Sequence, residues 1–74
     1  MRIINMKETG KNIKRLMKES NVSVKELTKI LGFSTQTSVY KWFRGEALPA
    51  LDNLIILTDV LNCGVDAILV TEEA

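Results

Sequence analysis

"VSVKELTKILGFSTQTSVYKWFRG", residues 22 to 45, decides how this chain folds, because two periodic segments meet there across a single glycine. Ser23 followed three residues later by Glu26 is a capping-box pattern, in which each side chain answers the other residue's backbone N–H. It predicts a helix whose Val24, Leu27, Ile30 and Leu31 share an arc of about 120° at 100° per residue. Gly32 is the expected stop, since glycine enters the left-handed conformation at no steric cost. Ser34 or Thr35 is the expected cap of the next helix, through residues 35 to 45, which Gly45 closes.

The second segment is two-faced. With Gln36 set at 0°, helical geometry puts Tyr40 at about 40°, Arg44 at about 80°, Thr37 at about 100° and Lys41 at about 140°. Trp42, Val39 and Phe43 fall at about 240°, 300° and 340°, with Ser38 small enough between the faces for a neighbouring helix to approach. The polar face therefore carries amide, hydroxyl, phenol and cationic side chains and no acid. Those groups suit phosphate oxygens and the base edges of a major groove. A merely solvated amphipathic helix would look similar by itself; the short helix and tight glycine turn before it make the pair a helix-turn-helix pattern.

Outward from this centre, apolar residues keep recurring at spacings of three and four, and no stretch alternates as a strand would. Five helices are expected. The first spans roughly Glu8 to Glu19, with Ile13, Leu16 and Met17 inward, and "SNVS" ends it. A fourth follows the single proline, Pro49, with Leu51, Leu54, Ile55, Leu57, Thr58 and Leu61 toward the core and Asn62 as a left-handed stop. "VDAILV" is a short fifth helix or turn. Residues 1 to 7 are expected as an N-terminal arm, in which "MRIINM" can form a short extended segment, and 71 to 74 as an acidic tail. The fold class is all-α: a compact bundle of five short helices with a central helix-turn-helix.

Seventy-four residues, 46% of them hydrophobic, suffice for one small domain. No apolar run reaches the roughly 18 to 20 residues of a membrane span and no signal peptide opens the chain, so a cytoplasmic location is expected. The net charge of +1 hides a split: residues 1 to 45 carry all ten Lys and Arg with three acids, and residues 46 to 74 carry six acids and no cation. One end can meet phosphates while the other points away. Catalysis is the weakest expectation. There is no His, no metal cluster, no phosphate-binding loop and no base beside the lone Cys63, which is expected as a small apolar core residue. No cofactor, metal or small-molecule ligand is expected.

Three motifs carry a more specific likeness: S-x-x-E-L-x-x-x-L-G at Ser23 to Gly32, V-x-K-W-x-x-G at Val39 to Gly45, and P-x-L-x-N-L at Pro49 to Leu54. In this order and spacing they resemble the helix-turn-helix domain of the phage repressor/Cro family, the XRE family of bacterial regulators, over residues 8 to 70. The resemblance implies a lambda-repressor-like fold and sequence-specific binding of double-stranded DNA by a transcriptional regulator, a repressor first of all. Its second motif helix enters the major groove and the one before it crosses the backbone. By position it makes Ser34, Thr35, Gln36, Thr37, Tyr40 and Lys41 the base-facing residues, with Arg44 and the backbone N–H at Gly45 on phosphate.

Three departures stand out. The segment from Gly32 to Val39 is one residue longer than the family's commonest spacing, so Thr35 and Gln36 compete for the first reading position; Gln36 is favoured because its amide can pair bidentately with adenine. Where the family often has a phosphate-binding Gln at the start of the second helix, Val24 stands here, and Lys25 is the expected substitute. Finally, the family's buried Arg–Glu pair is replaced by Met17 and Phe43, which are expected to pack on each other, as an ion pair can be exchanged for apolar residues when both partners change.

Useful affinity for two half-sites implies a homodimer. Ile56 and Val60, with Asn53 beside them, are the expected dimer face on the fourth helix. The alternative is a protein-binding module of the same fold, an antitoxin or anti-repressor, gripping its partner through Ile56, Val60 and the acidic tail.

Overall fold

Asn5 accepts a hydrogen bond from the Glu8 N–H at 2.9 Å and so caps the first helix two residues earlier than the apolar periodicity alone placed it. The computed structural model describes residues Met1 to Ala74. Their order is β1 (Arg2–Ile4), α1 (Met6–Glu19), α2 (Val24–Leu31), α3 (Thr37–Phe43), α4 (Leu51–Leu61), α5 (Val65–Ile68) and β2 (Thr71–Glu73). The capping box at Ser23 and Glu26 is formed in both directions, at 3.0 and 3.2 Å.

The first four helices end by one device. Asn21, Gly32, Gly45 and Asn62 all have positive φ, between 53° and 74°. The N–H that follows each of them, in Val22, Phe33, Glu46 and Cys63, donates to the carbonyl five residues back at 2.9 to 3.1 Å. This left-handed closure satisfies carbonyls that a helix end otherwise orphans, and Gly or Asn adopts it most cheaply. It reverses the chain sharply, which lets five short helices fold back on a common centre.

That centre is a cluster of Ile13 and Met17 from α1, Leu27 from α2, Val39 and Trp42 from α3, Leu54, Leu57 and Leu61 from α4, and Ile68 from α5. Every helix thus contributes. Cys63 is half-buried against the cluster as a free thiol. Three residues expected on inward faces need correcting. Ile30 is 52% exposed, and on α4 Leu51 and Ile55 are 81% and 58% exposed. Helix α4 carries apolar residues on every side, so spacing alone did not identify which of its faces is inward; Leu54, Leu57 and Leu61 form the buried seam.

The terminal segments are also more ordered than arms. β1 and β2 pair antiparallel, with Arg2 opposite Glu73, Ile3 opposite Glu72 and Ile4 opposite Thr71. The molecule is therefore mostly rather than wholly helical. Strands of three residues are too short to show alternation, and their partner lies at the other end of the chain. What holds the C-terminal end in place is α1: the Thr9 hydroxyl accepts from the Val70 N–H at 2.9 Å, and the Asn12 amide donates to the carbonyls of Ala67 and Ile68 at 2.7 and 2.9 Å. No buried side-chain nitrogen or oxygen lacks a partner. No helix is long and apolar enough to cross a membrane.

Candidate nucleic-acid interface

Helix α3 is shorter than its sequence suggested. It begins at Thr37 with Gln36 as N-cap residue and no side-chain cap, so Ser34 and Thr35 lie in the turn before it rather than in its first turn. The reason is the extra residue between Gly32 and Val39: burying Val39 and Trp42 fixes the helix, and the surplus is taken up in the turn. Val39 is fully buried and Trp42 is 4% exposed, its indole met edge-on by Phe33 with centroids 6.0 Å apart. These two residues anchor the helix, as its periodicity predicted.

The opposite face is free. Ser34, Thr35, Gln36, Thr37, Tyr40 and Lys41 are all exposed, and the structure brings them together along α3 and the turn before it. Tyr40 is 43% exposed. Arg44 follows as the C-cap residue and Gly45 as the left-handed residue, half-buried, beyond it. Gly45 is required twice over. Its φ of +74° disfavours a side chain, and a Cβ there would lie 2.7 Å from the Lys7 Cα. Lys25 is exposed in the first turn of α2, next to the capping box.

Arg44 is not an idle cation. Its guanidinium forms an ion pair with Glu46, both side chains about half exposed. The hydrogen bond from Arg44 holds the Glu46 carboxyl below the usual carboxylate range, and Glu46 in turn raises the pKa of Arg44. An acid that sequence reading assigned to the negative half thus sits on the cation expected at phosphate.

Phe43 is half-buried, and it lines one open groove with the buried Met17, so neither replacement for the family's ion pair stands in open solvent. The ring's own partners are others. Tyr40 meets it edge-on, centroids 5.8 Å apart at 88°, and the Lys14 ammonium lies 5.8 Å from its centroid. Lys14 is distant from Phe43 in sequence, so only the packing of α1 on α3 brings the two together.

The expected dimer residues are dispersed differently from the periodicity reading. Ile56 and Val60 are half-buried, and Val60 packs against the core. Asn53 lines an open groove with Ser38, Lys41 and Trp42 beside α3. The apolar side chains most open to solvent on α4 are Leu51 and Ile55 instead.

Two short helices joined by a left-handed glycine turn, the second pinned by a buried tryptophan and presenting an acid-free polar face, define a helix-turn-helix domain. The Cro/C1-type helix-turn-helix family, a family of DNA-binding regulators, matches residues 13–68, and the chain belongs to it. No curated protein sequence matches the chain significantly. Solved structures share the fold, two of them as follows. The restriction-modification controller protein C.AhdI from Aeromonas hydrophila superposes with a TM-score of 0.73 at 19% identity, over 85% of this chain and 94% of that one. The DNA-binding domain of BldD superposes with a TM-score of 0.70 at 17% identity, over 88% of this chain and 93% of that one.

Proposed function

We propose that this protein is a sequence-specific double-stranded DNA-binding transcriptional repressor of bacterial or phage type, in which residues 8 to 70 form the DNA-binding unit and α3 reads the major groove. The observation that carries this reading is the exposed face of α3 and its preceding turn, where Ser34, Thr35, Gln36, Thr37, Tyr40 and Lys41 stand with no acid among them. Gln36 at the N-terminal end of the helix is the principal base reader, since residues at the start of a recognition helix reach base edges. Lys25, Arg44 and the N–H at Gly45 supply phosphate contacts, which give affinity and register but no sequence choice.

Regulation is by occupancy: a bound operator excludes or recruits polymerase, in the cytoplasm. Two copies read two half-sites about one helical turn apart. The copies associate through α4, on the side of the buried seam where Leu51 and Ile55 are open to solvent; Asn53, Ile56 and Val60 lie half-buried on the other side of that seam. Likeness to a restriction-modification controller supports a regulatory role. Selection from a random duplex library tests the whole reading, because enriched paired half-sites would report DNA binding, base preference and dimer spacing together. Recovery of no sequence above background would sink it.

A second reading is favoured by Leu51 and Ile55, an exposed apolar pair one turn apart on α4 beside Asp52 and Asp59. In it the domain is an antitoxin or anti-repressor that uses this side to hold another protein. Salt-dependent binding to random-sequence duplex DNA separates the two readings.

A further inference from the structure

Lys14 and Phe43 belong to different helices and neither is among the residues assigned to DNA above. We propose that Lys14 is a phosphate-contacting cation held in position by Phe43, so that the DNA-facing surface continues from α3 onto α1 through a Tyr40–Phe43–Lys14 stack. This rests on the DNA-binding reading and extends it to a second helix.

The first support is geometric. A single ring joins the two helices: Tyr40, on the polar face of α3, meets Phe43 at 5.8 Å, and the Lys14 ammonium lies 5.8 Å from the same centroid. A cation over a ring face is attracted by the ring's quadrupole, which restricts where the long lysine chain can go. The ring carries no net charge, so it orients the ammonium without neutralising it.

The second support is the pattern of pairing along α1. Lys11 is paired with Glu8 at 3.1 Å and Arg15 with Glu19 at 2.6 Å, whereas Lys14, between them in sequence, has no acid partner. Lys7 and Lys18 have none either. Lys7, Lys14 and Lys18 share an arc of about 40° on α1. That arc adjoins Gly10, whose backbone abuts the carbonyls of Trp42 and Phe43, so the unpaired lysines follow the flank that meets the end of α3.

The third support is continuity. Lys14, Lys18 and Phe43 line an open groove with Val22, Ser23 and Val24, which leads to the first turn of α2, where the Glu26 carboxylate caps the Ser23 N–H and Lys25 is exposed. Lys14 and Lys18, both without an acid partner, stand one turn apart along this groove, as successive phosphates on one strand would require.

The test is the salt dependence of affinity for a random-sequence duplex, measured by fluorescence anisotropy with the full chain. Wild-type protein is expected to bind with a falling log–log slope, and Lys14→Ala to lose roughly 0.9 from that slope and roughly five- to tenfold in affinity at 0.1 M salt, equally on all sequences. Lys14→Arg should keep the slope. Phe43→Leu retains apolar bulk but not the ring, and is expected to lose part of the same slope at little change in melting temperature; Phe43→Tyr should restore it. In the double variant, Lys14→Ala should add less than it does alone. A Lys14→Ala slope equal to wild type overturns the proposal while leaving DNA binding intact. A Phe43→Leu slope equal to wild type, or a full loss with Phe43→Tyr, overturns the positioning role. Wild-type protein without salt-dependent duplex binding overturns the DNA-binding reading itself and this proposal with it.

Discussion

Gly10 of α1 sits against the main chain of Trp42 in α3, so closely that a Cβ at Gly10 would lie 2.0 Å from the Trp42 carbonyl oxygen and 2.8 Å from that of Phe43. Helix α3 is therefore spaced from α1 by the absence of one side chain. Because the obstruction is backbone, it cannot be relieved by a rotamer change. In an ordinary helix interior Gly→Ala stabilises by about 1 kcal/mol. Here Gly10→Ala is expected to destabilise instead, by about 1–3 kcal/mol or more, as overpacked sites do. Each kcal/mol lowers the melting temperature of a domain this size by about 4–8 °C. Gly64→Ala, with nothing within 4 Å of the added carbon, is the matched control and should melt close to wild type.

Thr9 ties the start of α1 to the C-terminal end, accepting from the Val70 N–H at 2.9 Å from a fully buried position. Thr9→Val keeps the shape and removes the hydroxyl. The Val70 N–H then loses its partner, which costs about 1–3 kcal/mol when the group stays out of water. Hydrogen exchange should speed up at Val70 and in the β1–β2 pairing beyond it. Unchanged exchange there would show that α1 does not hold the terminal sheet.

Glu46 holds Arg44 in an ion pair, so on the proposed DNA-binding reading it competes with phosphate for that cation. Glu46→Gln is expected to tighten binding to random duplex DNA by a few fold and to steepen its salt dependence, since Arg44 no longer exchanges a carboxylate for a phosphate. The pH effect has a definite sign. The Glu46 carboxyl is held below its ordinary range by the Arg44 hydrogen bond, so the pairing is complete above the normal carboxylate pKa and is lost only as pH falls through the lowered value. A gain in DNA affinity on acidification that disappears in Glu46→Gln is the corresponding observation.

Leu51 and Ile55 decide between association and isolation. Both are well exposed, so Leu51→Glu/Ile55→Glu should leave the melting temperature nearly unchanged. It should abolish dimers in sedimentation and weaken binding to a two-half-site operator. Val60→Glu is a poorer probe, because Val60 packs on the core and its loss would unfold the domain as well. If neither mass nor affinity changes in the double variant, α4 is not the contact.

Gln36 and the cations around it should separate cleanly. Gln36→Ala is expected to relax base preference, with each lost bidentate contact worth about 1–3 kcal/mol of discrimination, while the salt slope stays as it was. Lys25→Ala, Lys41→Ala and Arg44→Ala should each flatten the slope. Equal weakening on every sequence by Gln36→Ala would contradict its role as a reader.

What the sequence determined by itself is the set of local decisions. The capping box at Ser23 and Glu26, the stops at Gly32, Gly45 and Asn62, and the division of α3 into a Trp42 side and a Gln36–Tyr40–Lys41 side all depend on residues within a few positions of one another. Such interactions repeat at 3.6 residues per turn or at a fixed offset, so spacing reveals them. Family membership was legible for the same reason, in three short motifs.

The tertiary structure decided the rest. The inward face of α4 was hidden because its apolar residues are spread round every side, and only packing in the common core selected Leu54, Leu57 and Leu61 over Leu51 and Ile55. The pairing of β1 with β2 joins residues some seventy positions apart. The close approach at Gly10, the Lys14–Phe43–Tyr40 stack and the positions of Asn12 and Thr9 on the C-terminal end are likewise contacts between elements. Local spacing contains no term for the distance between two helices, and that distance is what brings Lys14 of α1 to the Phe43 ring of α3.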